Sequence, residues 1–130
     1  MIYIDTSAFY AIFDRADAHH SRAKKTWTRL VEAQETLVCN NYVLVETYAL
    51  LQHRLGVMAV VDLLKILPLI QIDWITAEQH RIATTSLLSS PTRALSLVDC
   101  SSFETMHRLG IEKAFAFDNH FRQQGFDLAA

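Results

Sequence analysis

The sequence predicts an α/β fold in which a mainly parallel sheet of four to five strands is flanked by helices, in one domain over residues 1–130. Three observations favour this class. Short apolar, strand-like segments alternate with longer helical patterns. Apolar residues make up 51% of the composition, enough for a hydrophobic core. Only three glycines and two prolines are present, which disfavours turn-dense all-β architectures.

The first third of the chain predicts one strand and two helices. Residues 2–4 are β-branched or aromatic and predict a strand. The next three residues, Asp-Thr-Ser, are helix-capping types, so a short helix is expected over residues 8–13. Residues 20–33 carry apolar side chains at helical spacing within a polar background, which predicts a second helix.

The middle of the chain predicts two strands that enclose two helices. Residues 36–39 form an apolar strand pattern, and two asparagines then cap a helix over residues 42–55 that a glycine ends. A further helix over residues 57–67 stops at a proline. Residues 69–72 predict the third strand.

The last third predicts helices, a strand and a short turn of helix. Threonine and serine caps begin its two longer helices, and a glycine follows the second. The predicted elements are a helix over residues 76–88, a loop over 89–92, a helix from the cap Ser96 to Leu109, a strand over 114–117, a helical turn over 119–124 and an edge strand over 126–128.

Charge and cysteine content exclude several functional classes. A formal net charge of -2 excludes a strongly basic nucleic-acid coat protein, although it is compatible with a local basic patch. Cys39 and Cys100 are too sparse for a disulfide framework or a zinc ligand set, which predicts a reduced, cytoplasmic chain. The start of the chain lacks a signal-peptide pattern, and charged residues and a proline interrupt the most apolar region, residues 55–75, against a membrane span.

Three aspartates lie where local helix capping would explain them. Asp5 follows the first predicted strand and Asp118 follows the fourth, so each is expected as a helix N-cap. Asp99 lies three residues after Ser96, in a pattern that resembles a capping box. Each aspartate, taken alone, therefore has a structural explanation.

Glu46 has no such local explanation. It lies in the middle of a predicted helix, and its neighbours three and four residues away are all apolar or aromatic. The carboxylate is therefore expected on or beside the buried face, where an unpaired charge is costly. Two interpretations remain open at this point: a buried ion pair with an arginine elsewhere, or a glutamate that binds a cation.

The four carboxylates together predict a metal site. In a parallel α/β sheet, ligands bind beyond the carboxyl ends of the strands, and all four acids are expected near that edge. Clustered carboxylates raise each other's pKa values, and a hard divalent cation relieves their repulsion. Oxygen ligands suit Mg²⁺ or Mn²⁺. The sequence therefore predicts an acidic pocket that binds one of these ions.

Four segments resemble the PIN-domain nucleases, and among them the VapC-type toxins of bacterial toxin–antitoxin pairs. The segments are IDTSAF at residues 4–9, VET at 45–47, LSLVDC at 95–100 and AFDNHF at 116–121. The resemblance spans the whole chain, and the four acidic positions occur in the family's order. It implies Asp5, Glu46, Asp99 and Asp118 as the catalytic and metal-binding quartet. It also implies a parallel sheet with the first and fourth strands side by side, which would bring Asp5 and Asp118 together.

The resemblance further implies hydrolysis of RNA phosphodiester bonds that depends on Mg²⁺ or Mn²⁺. A bound ion lowers the pKa of water and stabilises the leaving oxygen. Asp5 and Asp99 are the first choice as direct ligands, and Asp118 would bind directly or through water. Glu46, in its apolar setting, is the candidate to orient or deprotonate the attacking water. Thr6 and Ser7 either hydrogen-bond the carboxylates or only cap the helix.

The residue at position 119 differs from that of many relatives. Asn119 stands where many relatives carry a further acid or a basic residue, which leaves the number of metal ions open.

Toxin relatives usually form dimers and are silenced by an antitoxin protein that covers the acidic pocket. The apolar helix pair over residues 42–67 has more hydrophobic surface than a monomer needs, which predicts a homodimer.

Two sets of basic residues are candidates for binding RNA. The first surrounds the second predicted helix and is equally compatible with a solvated helix face; it comprises Arg15, Arg22, Lys24, Lys25 and Arg29. The second lies near the acidic motifs and comprises Arg93, Arg108 and Arg122. A site of this kind would suit single-stranded or looped RNA. His120, beside Asp118, is expected mainly to pack or cap.

Two functions from other classes compete with the nuclease. A phospho-receiver-like signalling domain would also bind Mg²⁺ at strand ends, but it needs two acids near the first strand and a lysine after a late strand. Here only Asp5 follows the first strand, and Lys113 precedes the fourth. A PIN-like module that binds RNA or a partner without cutting it is the other alternative, and the intact quartet argues against it.

Overall fold

The computed structural model describes residues 1–90 and 94–130 and contains the predicted alternation of strands and helices. The elements in chain order are β1 (Ile2–Ile4), α1 (Thr6–Phe13), α2 (His20–Glu32), β2 (Leu37–Asn40), α3 (Asn41–Leu55), α4 (Val57–Ile66), a 3-10 turn (Leu67–Leu69), β3 (Ile70–Asp73), α5 (Ala77–Ser89), α6 (Leu97–Leu109), β4 (Lys113–Phe115), α7 (His120–Gln123) and β5 (Asp127–Leu128).

The five strands form one parallel sheet in the order β3-β2-β1-β4-β5. Ile4 pairs with Phe115 at the end of β1 and β4, and Asn40 pairs with Asp73 at the end of β2 and β3. The residues that follow these strands therefore emerge at one edge of the sheet. The predicted α/β class and the predicted adjacency of the first and fourth strands are confirmed.

The sheet centre is buried on both faces. All three residues of β1 are buried, and Tyr3 and Ile4 have no exposed surface. This is expected of the central strand of a parallel sheet that helices cover on both sides. Phe9, Phe115 and Phe121 are also fully buried, so α1 and α7 pack against the strands that lead to the carboxyl edge. The acidic residues at that edge are thus fixed by a rigid core.

A buried amide joins three elements beneath the carboxyl edge. Asn40 has no exposed surface, and its Oδ1 accepts a hydrogen bond of 2.9 Å from the backbone N–H of Val43. Its Nδ2 donates to Ser101 Oγ at 3.1 Å and to Thr105 Oγ1 at 3.2 Å. Asn40 therefore ends β2, caps α3 as predicted and holds α6 against the sheet.

Two more buried hydroxyl pairs hold helices in place. Tyr3 donates to Ser102 Oγ at 2.8 Å, which ties β1 to α6. Thr6 Oγ1 lies 3.1 Å from Thr47 Oγ1, which ties α1 to α3. Buried polar groups of this kind are tolerated only when they are paired, so they fix the relative positions of the elements that they join.

The observed ends differ from the predicted ones by one or two residues, which is the usual scatter. The largest physical difference is in β4, predicted over 114–117, which ends at Phe115. The chain turns there because the N–H of Phe117 donates to Ser7 Oγ at 3.0 Å and not to a neighbouring strand. Residues 91 and 92 of the predicted loop and Arg93 lie outside the described residues. No helix in the described ranges is both long and apolar enough to cross a membrane.

Replacing Asn40 tests whether its amide holds the fold together. We expect Asn40→Ala to lower the free energy of unfolding by about 3 kcal/mol, because it removes a helix cap, leaves the buried N–H of Val43 without its acceptor and leaves the hydroxyl oxygens of Ser101 and Thr105 without a donor. Urea unfolding followed by circular dichroism measures this loss. Asn119→Ala is the matched control, since that asparagine is exposed and its side chain makes no cap hydrogen bond. Equal losses in the two variants would contradict the role given to Asn40.

Candidate active site

Asp5 is the most deeply buried of the four predicted acids. It is 5% exposed and follows β1 as the N-cap of α1, in extended backbone geometry. Its Oδ2 accepts hydrogen bonds from Ser7 N at 3.0 Å and Ser7 Oγ at 2.7 Å. The predicted cap is therefore present, and Ser7 fixes the carboxylate as expected.

The charge state of Asp5 reflects its burial and its acidic neighbours. The pKa of Asp5 is raised from 3.8 to about 6, mainly by burial, and the hydrogen bonds from Ser7 oppose this increase. The negative charges of Asp99 and Glu46 make a smaller contribution to the increase. Asp5 thus lies close enough to two other predicted acids for their charges to act on it.

The side chain of Thr6 differs from that of Ser7 in its hydrogen-bond partners. Its Oγ1 contacts Thr47 Oγ1 at 3.1 Å and the carbonyl of Val43 at 3.4 Å, and both groups belong to α3. It makes no hydrogen bond to a carboxylate within the described residues. The expectation that Thr6 supports the acids directly is therefore corrected: its side chain leaves the first turn of α1 toward α3 and locks the two helices together.

Asp99 and Asp118 meet at the carboxyl edge together with His120. Asp99 forms the predicted capping box with Ser96, with hydrogen bonds of 3.1 Å and 3.0 Å. Asp118 Oδ1 accepts from the backbone N–H of His120 at 2.8 Å. One ligand atom from each of Asp99, Asp118 and His120 lies within 4.8 Å of the others.

The side chain of His120 lies at the acidic site, whereas the sequence favoured a packing or capping role for it. Its Nδ1 lies 2.9 Å from Asp118 Oδ1 and 3.8 Å from Asp99 Oδ2. This nitrogen is buried, yet it is not aligned to form a hydrogen bond with any described residue. The side chain therefore faces the two carboxylates, whereas packing or capping was expected. The signal in the sequence was its spacing of two residues from Asp118.

Glu46 lies one and a half turns into α3 and is half-buried. It forms no ion pair with any described residue, so the proposed pairing with an arginine is not observed in that part of the chain. Neither Glu46 nor Asp5 belongs to the close group formed by Asp99, Asp118 and His120. The structure therefore brings two predicted acids into contact distance and leaves the other two beside them.

The donor set fits a divalent cation. The described residues place two carboxylates and a buried imidazole nitrogen without a hydrogen-bond partner close together, and no described lysine or arginine forms an ion pair with Asp5, Asp99 or Asp118. The pKa of Asp5 is raised mainly by its burial, and the charges of Asp99 and Glu46 add to the increase. Carboxylate oxygens are the ligands that Mg²⁺ and Mn²⁺ prefer.

The predicted basic residues are divided between several places. The first set is exposed, and Arg22 lies over the Phe117 ring at 5.5 Å, beside Asp118. Arg29 donates to the carbonyl of Ala129 at 2.7 Å. Arg108 lies at the other end of α6 from Asp99, where it pairs with Asp73 and Glu104. A free phosphate-binding role for Arg108 is therefore not supported.

A groove of about 710 Å³ lies away from the acidic site, between α5 and α6. Its lining includes Ile82, Phe103 and His107, and none of the four predicted acids. Shape alone would point to the groove, whereas the grouping of chemically active side chains points to the carboxyl edge.

Comparison with known proteins relates this geometry to a family. The chain matches the PIN domain over residues 2–127. It is 34% identical over 128 residues to the 23S rRNA-specific endonuclease VapC20 of two Mycobacterium tuberculosis strains, CDC 1551 / Oshkosh and H37Rv, covering 97% of this chain and 95% of each relative. The crystal structure of M. tuberculosis VapC20, described as a sarcin-ricin loop cleaving toxin, superposes with a TM-score of 0.86 at 33% identity, covering 97% of this chain and 96% of that one.

The buried carboxylate of Asp5 makes stability depend on pH. Because the pKa of Asp5 is raised in the folded protein, the folded state binds the proton more tightly than the unfolded state. The charged form therefore costs folding free energy above a pH of about 6, and this cost disappears as the pH falls below 3.8.

We therefore expect Asp5→Asn to raise the free energy of unfolding by about 3 kcal/mol near neutral pH and to change it little near pH 4, in EDTA. Urea unfolding across this pH range measures the difference. Asp127→Asn is the control, since Asp127 is exposed on β5. A gain of the same size at both ends of the pH range would contradict the explanation.

Proposed function

This chain belongs to the PIN-domain family, and from that premise we propose that it is a divalent-metal-dependent endoribonuclease, the toxin of a toxin–antitoxin pair. The observation that supports this best is the meeting of Asp99, Asp118 and His120 beside the buried Asp5, in a chain that is 34% identical to RNA endonucleases. The phospho-receiver alternative has no comparable support.

We propose that Asp5, Glu46, Asp99 and Asp118 hold Mg²⁺ or Mn²⁺, with His120 Nδ1 within reach of the same point. When bound, the cation would lower the pKa of the attacking water and stabilise charge on the leaving oxygen. The close ligand atoms of Asp99, Asp118 and His120 support their place in this set. The number of bound ions stays open, because Asn119 stands where many relatives carry a further acid or a basic residue.

The remaining side chains have roles that follow from their surroundings. Ser7 donates to Asp5 at 2.7 Å and keeps that carboxylate oriented toward the edge of the sheet. Glu46 is half-buried and has no ion-pair partner in the described ranges, so its carboxylate is available to accept a proton from the attacking water. Asp5 would bind the cation more readily once ionised, which the charge of the cation itself favours.

We propose that the substrate is the sarcin–ricin loop of 23S rRNA, because the similar mycobacterial proteins are named as a 23S rRNA-specific endonuclease and a sarcin-ricin loop cleaving toxin. A folded RNA loop offers accessible bases for recognition, whereas the base edges of a duplex are hidden. Arg22, Lys25 and Arg29 lie on the exposed side of α2 and would contact phosphates, with Arg15 and Lys24 nearby. Ribosomal RNA as substrate also supports a cytoplasmic location.

The antitoxin and a second copy of the chain are the proposed protein partners. The antitoxin would cover the acidic edge. The homodimer would use the apolar surface of α3 and α4, where Val45, Val57 and Met58 are 67%, 63% and 65% exposed. Side chains of this size are rarely left in water together unless a partner covers them.

Cleavage assays test the proposed activity. We expect a 23S rRNA fragment that contains the loop to be cut in Mg²⁺ or Mn²⁺ and not in EDTA. Asp99→Asn should reduce the rate by at least about 100-fold, because a metal ligand is lost while the Ser96 capping bond can persist. Asp62→Asn, an exposed carboxylate on α4, is the control. Tight RNA binding without any metal-dependent cutting would favour the non-catalytic module.

Sedimentation measures the proposed dimer. The chain should sediment as a dimer at micromolar concentration, and Met58→Glu should shift it toward monomer, because a buried unpaired charge is costly. Leu88→Glu is the matched control, since Leu88 is 81% exposed but lies on α5. A wild-type protein that is only monomeric would rule out the dimer.

A further inference from the structure

An exposed aromatic stack lies directly beside the acidic site. We propose that His19 and Phe117 form a nucleobase-stacking subsite for the nucleotide next to the scissile phosphodiester, with Arg22 contacting the phosphate of that nucleotide. This inference rests on the proposed ribonuclease function and specifies where a base is held.

The geometry of the pair is that of a stacking platform. The rings of His19 and Phe117 are nearly parallel, with centroids 4.5 Å apart and an interplanar angle of 7°. Phe117 is half-buried, and its ring packs against Phe115 at 6.0 Å and 69°. Phe117 therefore forms a fixed floor, while the exposed imidazole of His19 can accept a further ring on its outer side.

The backbone on both sides of the stack is held in place. The N–H of His19 donates to Asp17 Oδ1 at 2.8 Å, and the carbonyl of His19 accepts from Ala23 N at 2.8 Å in the first turn of α2. The N–H of Phe117 donates to Ser7 Oγ at 3.0 Å. A base that stacks here would meet a surface that is already ordered, so little conformational entropy is lost on binding.

The stack is connected to the acidic residues through short links. Phe117 precedes Asp118 in the chain, and adjacent Cα atoms are about 3.8 Å apart. Ser7, which accepts from Phe117, donates in turn to Asp5 Oδ2 at 2.7 Å. A nucleotide seated on His19 would therefore have its sugar–phosphate backbone beside the group that we propose to hold the metal.

Arg22 supplies the charge that such a nucleotide needs. It follows His19 by three residues on α2, and its guanidinium carbon lies 5.5 Å from the centroid of the Phe117 ring. The guanidinium group is planar, always charged and suited to phosphate oxygens. Among the proposed RNA-binding residues of α2, Arg22 is the one that lies over the ring of Phe117, which directly precedes Asp118.

Aromatic platforms beside a cationic side chain are a general means of binding single-stranded or looped RNA. A ring that served only to pack the start of α2 onto the loop after β4 would not need to remain exposed. Base stacking and simple packing make different predictions for substrate binding. A stacking platform distinguishes an RNA with a base at this position from an RNA without it, whereas packing alone does not.

The test uses a hairpin RNA with the sarcin–ricin loop sequence and a matched set with a single abasic ribose at each nucleotide flanking the cut. We compare the wild type with His19→Leu, which keeps an apolar side chain but loses the ring, and His19→Phe, which keeps the ring. His53→Leu is the control, since His53 is exposed in the last turn of α3.

We expect His19→Leu to raise KM by about 10-fold with a small change in kcat, within the range for one stacked base. His19→Phe should restore most of the affinity. One abasic position should weaken binding to the wild type by a similar factor and add little further loss in His19→Leu. Binding to the Asp99→Asn protein, measured with 2-aminopurine at that position, should show fluorescence quenching that His19→Leu abolishes.

The outcomes separate this inference from the proposed function. If the wild type cuts the hairpin while His19→Leu cuts it with the same KM and the same abasic penalties, the subsite is wrong and the nuclease stands. If the wild type shows no metal-dependent cutting, the proposed function is wrong and the subsite is lost with it. An equal loss in His19→Leu and His19→Phe would also overturn the stacking role.

Discussion

The position of the candidate site depends on the buried side chain of Asn40. One amide ends β2, caps α3 through Val43 and donates to two hydroxyl groups on α6. The helix α3 carries Glu46 and α6 carries Asp99, so the same side chain sets where two of the four acids lie. An amide with no exposed surface must satisfy both its donors and its acceptor. Its partners are therefore fixed in number and direction, which an apolar contact would not require.

Asp5 has the opposite effect on stability, because this buried carboxylate, which we propose takes part in the chemistry, weakens the fold. The carboxylate is buried beside acidic neighbours, and these features raise its pKa to about 6. Ser7 offsets part of this cost and, through its bond from Phe117, also sets the point where β4 ends. A destabilising buried charge is typical of catalytic sites, where the surrounding fold tolerates a group that function needs.

Much of the fold was predictable because its signals are local, whereas the directions of several side chains were not. Cap residues, a proline and glycines mark the helix ends, and the parallel order of the sheet brings Asp99 and Asp118 to one edge. The orientation of His120 toward these acids depends on the packing of α7, which the spacing of two residues from Asp118 does not determine by itself. The pairing of Arg108 with Asp73 likewise joins residues 35 positions apart. The sequence pattern left open whether the hydroxyl of Thr6 would hydrogen-bond a carboxylate or only cap the helix, and it gave no sign of the observed contact with α3.

Charge distribution explains how a chain with a net charge of -2 can act on RNA. The acidic edge by itself repels phosphate, and the cation that we propose at this edge would offset the repulsion. The exposed basic residues of α2 would attract phosphate from one side of the acidic edge, and Arg22 is the member that reaches Phe117 beside Asp118. Electrostatic attraction that is local and weak gives little binding to arbitrary RNA, because nonspecific affinity grows with the number of phosphates neutralised. We propose that selection of one RNA loop comes from its shape and its accessible bases, which the proposed aromatic platform beside the acidic site could recognise.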